Sequence, residues 1–474
     1  PLTDNQVYAN DGNLEYPLTT FTPAIRVCNI LRTSNLDDET YSKIYFYKNL
    51  IVHRQGKGLL GFENHEIRDY NTSTKVKNKL SFDTDYFYAD NKTVRRKYQK
   101  GDEIILLKTA SQNFTAVELD ADKKRILILP DQETVQDHLT GISVNSSVTY
   151  DDWGNPLETI TEHGQTATTT RTVSQYLTKG AWCPSKPADE TLTKLRTGEI
   201  KFTTTSLFTY NNQGTLIKTI SNPGDPLQLT TEYQVNIYGN ITGQSSYDIN
   251  NNTRSSGRKY DPGQRYIVEK TNSLGHKTQV EYNNRFGLPS KVINPNGLET
   301  VHQYDEFGRL AETVYPDGSE TNNYFEWVDE ADEYTPDGGL YVSCQDYSNA
   351  PAARIYYNFK GQELRAVSDR YSGMLYQDTR YMNYGKVWKT SEPYFSDETP
   401  RWTEYEYDFA LRIYKKITPR TTYKYEYEGK KTTITNEDAG YSTEKIIDEL
   451  GLTSTVKDNN LTIDYIYKIG RAHV

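Results

Sequence analysis

Between residues 282 and 318 the chain writes one short unit twice. Tyr282-Asn283-Asn284-Arg285-Phe286-Gly287 leads into a β-prone run and Asn296-Gly297, and Tyr304-Asp305-Glu306-Phe307-Gly308-Arg309 leads into another and Asp317-Gly318. The two tyrosines stand 22 residues apart and Gly287 and Gly308 stand 21 apart. That is the length of one hairpin and its return. A period so short confines the fold to a tandem array, in which each copy packs mainly on its neighbours.

Fainter copies extend in both directions. Tyr150-Asp151-Asp152-Trp153-Gly154, Tyr210-Asn211-Asn212-Gln213-Gly214, Tyr357-Asn358-Phe359-Lys360-Gly361 and Tyr381-Met382-Asn383-Tyr384-Gly385 keep the leading Tyr, the spacing and the Gly. Asn236-Ile237-Tyr238-Gly239 and Asp448-Glu449-Leu450-Gly451 lack the Tyr, and Tyr407-Asp408-Phe409-Ala410-Leu411 has lost the Gly. Their spacing fits a degraded array of a ~20–25 residue unit with insertions.

Each copy reads as a β-hairpin. The Gly takes the positive φ of a tight turn, and Asn-Gly or Asp-Gly is the strongest short hairpin signal. Between turns, runs such as Thr403-Glu404-Tyr405-Glu406-Tyr407 alternate aromatic with charged residues, so one face of the sheet is buried and the other wetted. The fold class this predicts is all-β, a long curved antiparallel sheet of tandem hairpins. Gly308→Val is expected to cost about 1–3 kcal/mol, and the same change at Leu411, where the Gly is already lost, to be mild.

Composition supports a thin-walled sheet. Forty Tyr stand against 14 Phe and 2 Met, and 35% of residues are hydrophobic, too little aliphatic material for a large globular core. Tyr suits a half-exposed sheet, because its ring packs while its hydroxyl stays hydrogen-bonded. The net charge is −10 with no basic run, which argues against nucleic acid as a partner. No apolar stretch approaches the roughly 20 residues of a membrane span. No signal peptide is visible, but the chain opens at Pro1 and reads as a fragment. Cys28, Cys183 and Cys344 are odd in number and far apart, and read as three isolated buried thiols rather than a disulfide framework or metal site.

Enzymatic templates fit poorly. Gly56, Gly58 and Gly61 satisfy G-x-G-x-x-G, but Phe62 to Asp69 alternates as a strand where a dinucleotide site needs a helix. The segment reads as a glycine-rich β-turn. Asp120-Ala121-Asp122 is followed by Lys123 and Lys124 where a calcium loop needs oxygen ligands. His53 and His65 flank the glycine turn and could meet across a hairpin, yet read as polar strand positions. The Trp182-Cys183-Pro184 stretch and a short helix-compatible sequel, Ala188 to Leu195, read as an insertion between strands. No catalytic residue, cofactor or metal site is predicted, and the chain reads as no enzyme.

Tyr304-Asp305-Glu306-Phe307-Gly308-Arg309-Leu310 with Pro316-Asp317-Gly318 resembles the YD repeat of RHS-repeat proteins. Gly56-Lys57-Gly58-Leu59-Leu60-Gly61-Phe62 with Asp69 resembles the segment that precedes the repeats in the B subunits of insecticidal toxin complexes. The resemblance divides the chain into a β-rich opening at 1–142 and a repeat shell at 143–468, the opening strands belonging to the same structure. Residues 469–474, Ile-Gly-Arg-Ala-His-Val, resemble the translation of a sequencing adapter and are set aside, so that the natural chain is expected to continue past 468.

In that family the repeats coil a sheet into a hollow shell around a C-terminal effector. The resemblance therefore implies a secreted or surface-exposed bacterial toxin segment. Its partners would be a cargo and other toxin-complex subunits. The residues carried over are structural: the tyrosines, Asp151, Asp305, Arg309 and Asp317, the repeat glycines, and the Gly-Phe motif. A different class, a surface adhesin or carbohydrate-binding wall protein using exposed Tyr and Trp as stacking platforms, is the alternative.

Overall fold

The computed structural model describes residues 4–12, 14–34, 40–119, 125–177, 185–196, 202–328, 334–337, 339–458 and 461–467. Asp120 to Lys124, Trp182-Cys183-Pro184 and residues 469–474 lie outside them. Among the described residues there is no helix, and 37 strands form one sheet. From Thr40–His53 to Ile126–Asp137 the strands follow one another in sequence order as antiparallel neighbours, and Leu18–Phe21 and Ile30–Ser34 both pair antiparallel with Thr40–His53. The short Tyr8–Ala9 strand instead runs parallel to Thr40–His53. Ser143–Tyr150 pairs with Ile126–Asp137, so the ladder crosses residue 142 without a break.

The repeat unit is a hairpin with a built-in irregularity. Glu299–Tyr304 pairs with Leu310–Val314, and the register slips by one residue between Gln303 and Tyr304. The same slip falls at Tyr150, Tyr210, Tyr260, Tyr282, Tyr357, Tyr381 and Tyr407. A bulge bends its strand and sharpens the local twist. Repeated once per unit beside the leading tyrosine, it gives the sheet its curvature.

Register assigns the two faces. Gln279, Glu281, Lys291, Glu299, Gln303 and Glu312 share one face, while Val280, Tyr282, Val292, Thr300 and Tyr304 share the other. We call them the polar and tyrosine faces. The accessible surface is 29141 Å², against roughly 18,000 Å² for a compact monomer of this size. The sheet is therefore largely a single layer, with water near both sides.

Two small cores thicken it. Tyr8 and Leu50 pack with Val27, Tyr47 and Phe62 near the start. Val342, Cys344, Tyr356, Val367, Tyr376 and Tyr394 form the second, with Val328 and Tyr334 packed over it. The second lies on the polar face, where Arg365 also holds buried Asp378 through two hydrogen bonds of 2.5 and 2.7 Å.

Two sequence expectations need correcting here. Ala188 to Leu195 is not helical: Asp189–Arg196 is a strand, paired with Ala167–Thr172 on one side and Phe202–Tyr210 on the other. Its alternating Thr191 and Thr193 suit a ladder with open partners on both edges better than an isolated helical turn. The insertion is a smaller hairpin, Tyr176–Leu177 with Lys186–Pro187, outside the main sheet.

The second correction concerns Leu411. It holds φ +63°, so the turn kept its left-handed conformation when it lost its glycine. A β-branched residue is strained there too. Leu411→Gly is expected to stabilise the protein by about 0.5–1 kcal/mol, the relieved strain exceeding glycine's extra chain entropy. Leu411→Val and Gly308→Val should both destabilise by about 1–3 kcal/mol. Gly308→Val should fare worse, because a Cβ there lies 3.0 Å from Cδ1 of Phe286. Thermal melts of the three variants check the order.

Candidate functional surface

The turn is set by a carboxylate or carboxamide. Oδ1 of Asp305 accepts the backbone N–H of Phe307 and of Arg309, each at 2.9 Å, and Oδ2 accepts Nε of Arg309 at 2.6 Å. The backbone closes the same loop, with Asp305 N–H donating to the Arg309 carbonyl and Gly308 N–H to the Asp305 carbonyl. Gly308 sits at φ +81°, where a side chain would be strained. Asp151, Asn211, Asn236, Asn358, Asp408 and Asp448 accept the same two amides, two and four residues on.

The glycines of the remaining copies hold the same bend. Gly154, Gly214, Gly239, Gly287, Gly297, Gly308, Gly318, Gly361 and Gly385 lie at φ between +68° and +89°. Asn283 serves a longer loop, accepting from Arg285 and Phe286. At Gly318, Asp317 accepts from Ser319 N–H and Oγ–H. The unit at Tyr381 has Met382 where the others carry Asp or Asn; its backbone closes the same loop, and the Met382 sulfur accepts the Tyr384 hydroxyl in place of the two amides.

The leading tyrosines stitch one hairpin to the one before. Tyr304 donates its hydroxyl to the Pro289 carbonyl at 2.7 Å, Tyr282 to Ile267 at 3.0 Å, Tyr407 to Val387 at 2.7 Å and Tyr427 to Ile413 at 2.7 Å. Tyr150 reaches Pro130 in the same way. Pro289, Ile267, Val387 and Ile413 each open the returning strand of the preceding unit. Burial pushes the Tyr282 and Tyr304 phenols above their ordinary value. Ring stacking adds to the tie, with Tyr266 on Tyr282 at 4.8 Å and Tyr341 on Tyr357 at 5.0 Å.

The Asx turns line one rim of the sheet, and the late ones rest on the opposite rim of earlier strands. Asp448 pairs with Arg196, 252 residues before it. Glu449, paired with Lys430, lies against Gly164. Phe409 meets Tyr98 with ring centroids 5.4 Å apart. The sheet thus winds back onto itself, and the Arg196–Asp448 pair is mostly shielded from water, with side chains 13% and 12% exposed.

The Gly-Phe motif belongs to a hairpin. Thr40–His53 turns at residues 54–57 and returns as Gly58–Asp69, with Gly56, Gly58 and Gly61 at φ +112°, +72° and +132°. Phe62 lies across from Leu50 and packs on Tyr47 at 4.8 Å. Gly61 continues into a strand, so no helix terminus faces outward for a pyrophosphate. His53 and His65 do not meet: His53 sits by Gly58 and Phe87, while His65 lies opposite Tyr47 and stacks on it at 4.9 Å. Burial lowers the His65 pKa. Among the described residues no three His, Cys, Asp or Glu cluster as metal ligands. Cys344 is buried and its thiol pushed up by burial, but Cys28 is exposed, against expectation. It lies in an extended stretch outside the thicker sheet.

Sequence reasoning gave the glycines first place and missed the acceptor four residues upstream of the turn's exit, the tyrosine tie and the winding seam. The first was readable in the recurring Asp or Asn after Tyr. The seam joins residues with no shared pattern.

Within this wall of Asx-bent hairpins, residues 282–320 match the RHS repeat family model. The chain has the fold of the RHS shell of the TcdB2–TccC3 toxin complex. TcdB2–TccC3 without its hypervariable C-terminal region matches with a TM-score of 0.62 at 8% identity, over 91% of this chain and 35% of that one. TcdB2–TccC3–Cdc42 gives 0.61 at 9%, over 93% and 36%, and TcdB2–TccC3 gives 0.57 at 10%, over 90% and 33%. The chain therefore spans about a third of the length of these relatives. No curated protein matches its sequence.

Two outcomes test this geometry. Desolvation opposes ionisation of Asp305, but the Arg309 and Phe307 amides and the Arg309 guanidinium hold its carboxyl below the ordinary value. A carboxyl held low in the fold stabilises above its unfolded pKa of about 3.9, and the contribution is lost as pH falls through the folded value. Asp305→Asn should lower the melting midpoint at neutral pH and close the gap to wild type in acid, as melts across a pH series would record. Arg196→Ala should cost about 1–3 kcal/mol by leaving Oδ2 of the shielded Asp448 carboxylate without its partner while Oδ1 keeps its two amides, whereas Lys218→Ala, from the exposed pair with Glu232, should cost less than about 1 kcal/mol. Denaturant midpoints compare them.

Proposed function

We propose that this chain is a stretch of wall from a bacterial RHS toxin shell, a non-enzymatic container that encloses and helps deliver a polypeptide effector supplied beyond the repeats. The single observation that supports it best is the seam, where late turns rest on early strands far back in the chain. A sheet that closes winding on winding bounds a space; an open sheet does not. The fold shared with the TcdB2–TccC3 shell supports the same reading, as does the family match. Other toxin-complex subunits are the expected partners, and a secreted or surface-exposed location follows from the role.

The chemistry of the wall suits a container. Each hairpin pairs its outer edges with the hairpins on either side, so the wall extends without a central core. Its interior-grade contacts are few and local. Phenol rings with hydrogen-bonded hydroxyls give a surface that touches a non-native chain without one large sticky apolar patch.

Limited proteolysis of the protein expressed from its natural coding sequence tests the proposal. Polypeptide C-terminal to the repeats should resist protease while the wall is folded and be digested once the wall is denatured. Digestion at the same rate in both states, or a coding sequence with nothing beyond the repeats, overturns it.

A further inference from the structure

The long opening strands carry a charged patch that enclosure does not use. On the polar face of Thr74–Phe82, Lys75, Lys77 and Lys79 recur at every second residue. The neighbouring strand Ala89–Lys100 sets Lys97 opposite Lys75 and Arg95 opposite Lys77. Like charges directly opposed across a ladder destabilise it, and two such pairs adjoin here. On the other flank, Gly58–Asp69 sets Arg68 opposite Lys75 and Glu66 opposite Lys77. Glu66 is already taken, by Arg68 at 2.6 Å and Lys75 at 3.0 Å.

Lys77, Lys79, Arg95 and Lys97 are left without an ion pair among the described residues. Beyond them the next strand presents Thr109 and Ser111, which are neutral. Asp90, at the far end, is engaged with Ser81. A cleft of about 260 Å³ runs between the two cationic rows, lined by Lys77, Lys79, Ser81, Asn91, Thr93 and Arg95.

We propose that this patch docks an extended acidic segment of a partner polypeptide, with carboxylates at alternate positions. An extended chain brings same-side groups round every ~6.6–6.8 Å, the spacing of Lys77 and Lys79 along their own strand. Rows roughly 4.8 Å apart let each carboxylate bridge two cations, which also relieves the like-charge pairs. The chain as a whole is at −10, so a long polyanion is repelled, whereas a short segment within a Debye length of about 10 Å feels mainly the patch. The proposal stands independently of whether the wall encloses a cargo.

Fluorescence anisotropy on the whole chain tests it, with a labelled peptide alternating Glu and Ser and a control of the same composition with its Glu in one block. The alternating peptide should bind at least about tenfold more tightly, more weakly as salt rises. Arg95→Glu should abolish that binding while raising the melting temperature, because Arg95→Glu gives Lys77 an opposite charge across one ladder and faces neutral Thr109 across the other; this separates lost recognition from lost folding. Equal affinity for the two peptides, no binding at low salt, or an unchanged affinity in Arg95→Glu overturns the proposal. Tighter binding of a heparin oligosaccharide than of the peptide also overturns it and assigns the patch to a sulfated glycan.

Discussion

The structure depends on a side-chain oxygen that accepts two backbone amides. When Asp305 takes the N–H groups of Phe307 and Arg309, it fixes the direction in which the chain re-enters the sheet, before any distant residue is involved. Every hairpin is then specified within about 20 residues, and the ladder grows by pairing each strand with its sequence neighbour. Contacts this local lower the entropy cost of closing each loop. That is how a chain with little aliphatic material orders several hundred residues: it never needs one large core.

Locality alone would give a ribbon, and the tyrosines turn the ribbon into a wall. Tyr260, Tyr282, Tyr304 and Tyr407 each sit at a register slip, and the hydroxyl of each reaches the first carbonyl of the preceding return strand. A ring packed on one unit and bonded to another couples the bend of successive hairpins. Phenylalanine could supply the packing but would leave that carbonyl without its hydroxyl partner. The coupling also makes curvature cumulative, so that turns near Asp448 arrive over strands near Arg196.

The local rules were legible in the sequence and the long-range ones were not. Asn-Gly, Asp-Gly and the alternating Tyr-Glu runs announce hairpins because turn chemistry and strand pairing both act within a few residues. Leu411 shows the limit of reading a turn by its glycine: Asp408 still accepts two amides there, and the backbone stays left-handed without Gly. Ala188 to Leu195 misleads for the opposite reason, since its own pattern is weak and the flanking ladders decide it. The absence of a basic run said nothing about Lys77 and Arg95, which are far apart in sequence and adjacent only through register.

The second core follows from the same constraint. A single-layer sheet has no interior in which to hide a charge, yet Asp378 is 2% exposed. It is covered because the Tyr394–Phe395 return strand doubles back on Gly373–Tyr381, bringing the Tyr394 hydroxyl to the carboxylate at 3.0 Å beside Arg365. Burial and that carboxylate push the Tyr394 phenol up to about 12. An ion pair so shielded adds little net stability over an apolar packing of equal volume, but it admits one arrangement of its partners. In a wall whose other contacts are interchangeable from copy to copy, a unique buried pair fixes which hairpin lies against which. Repetition supplies the extent of the sheet, and the irregular cluster supplies its register.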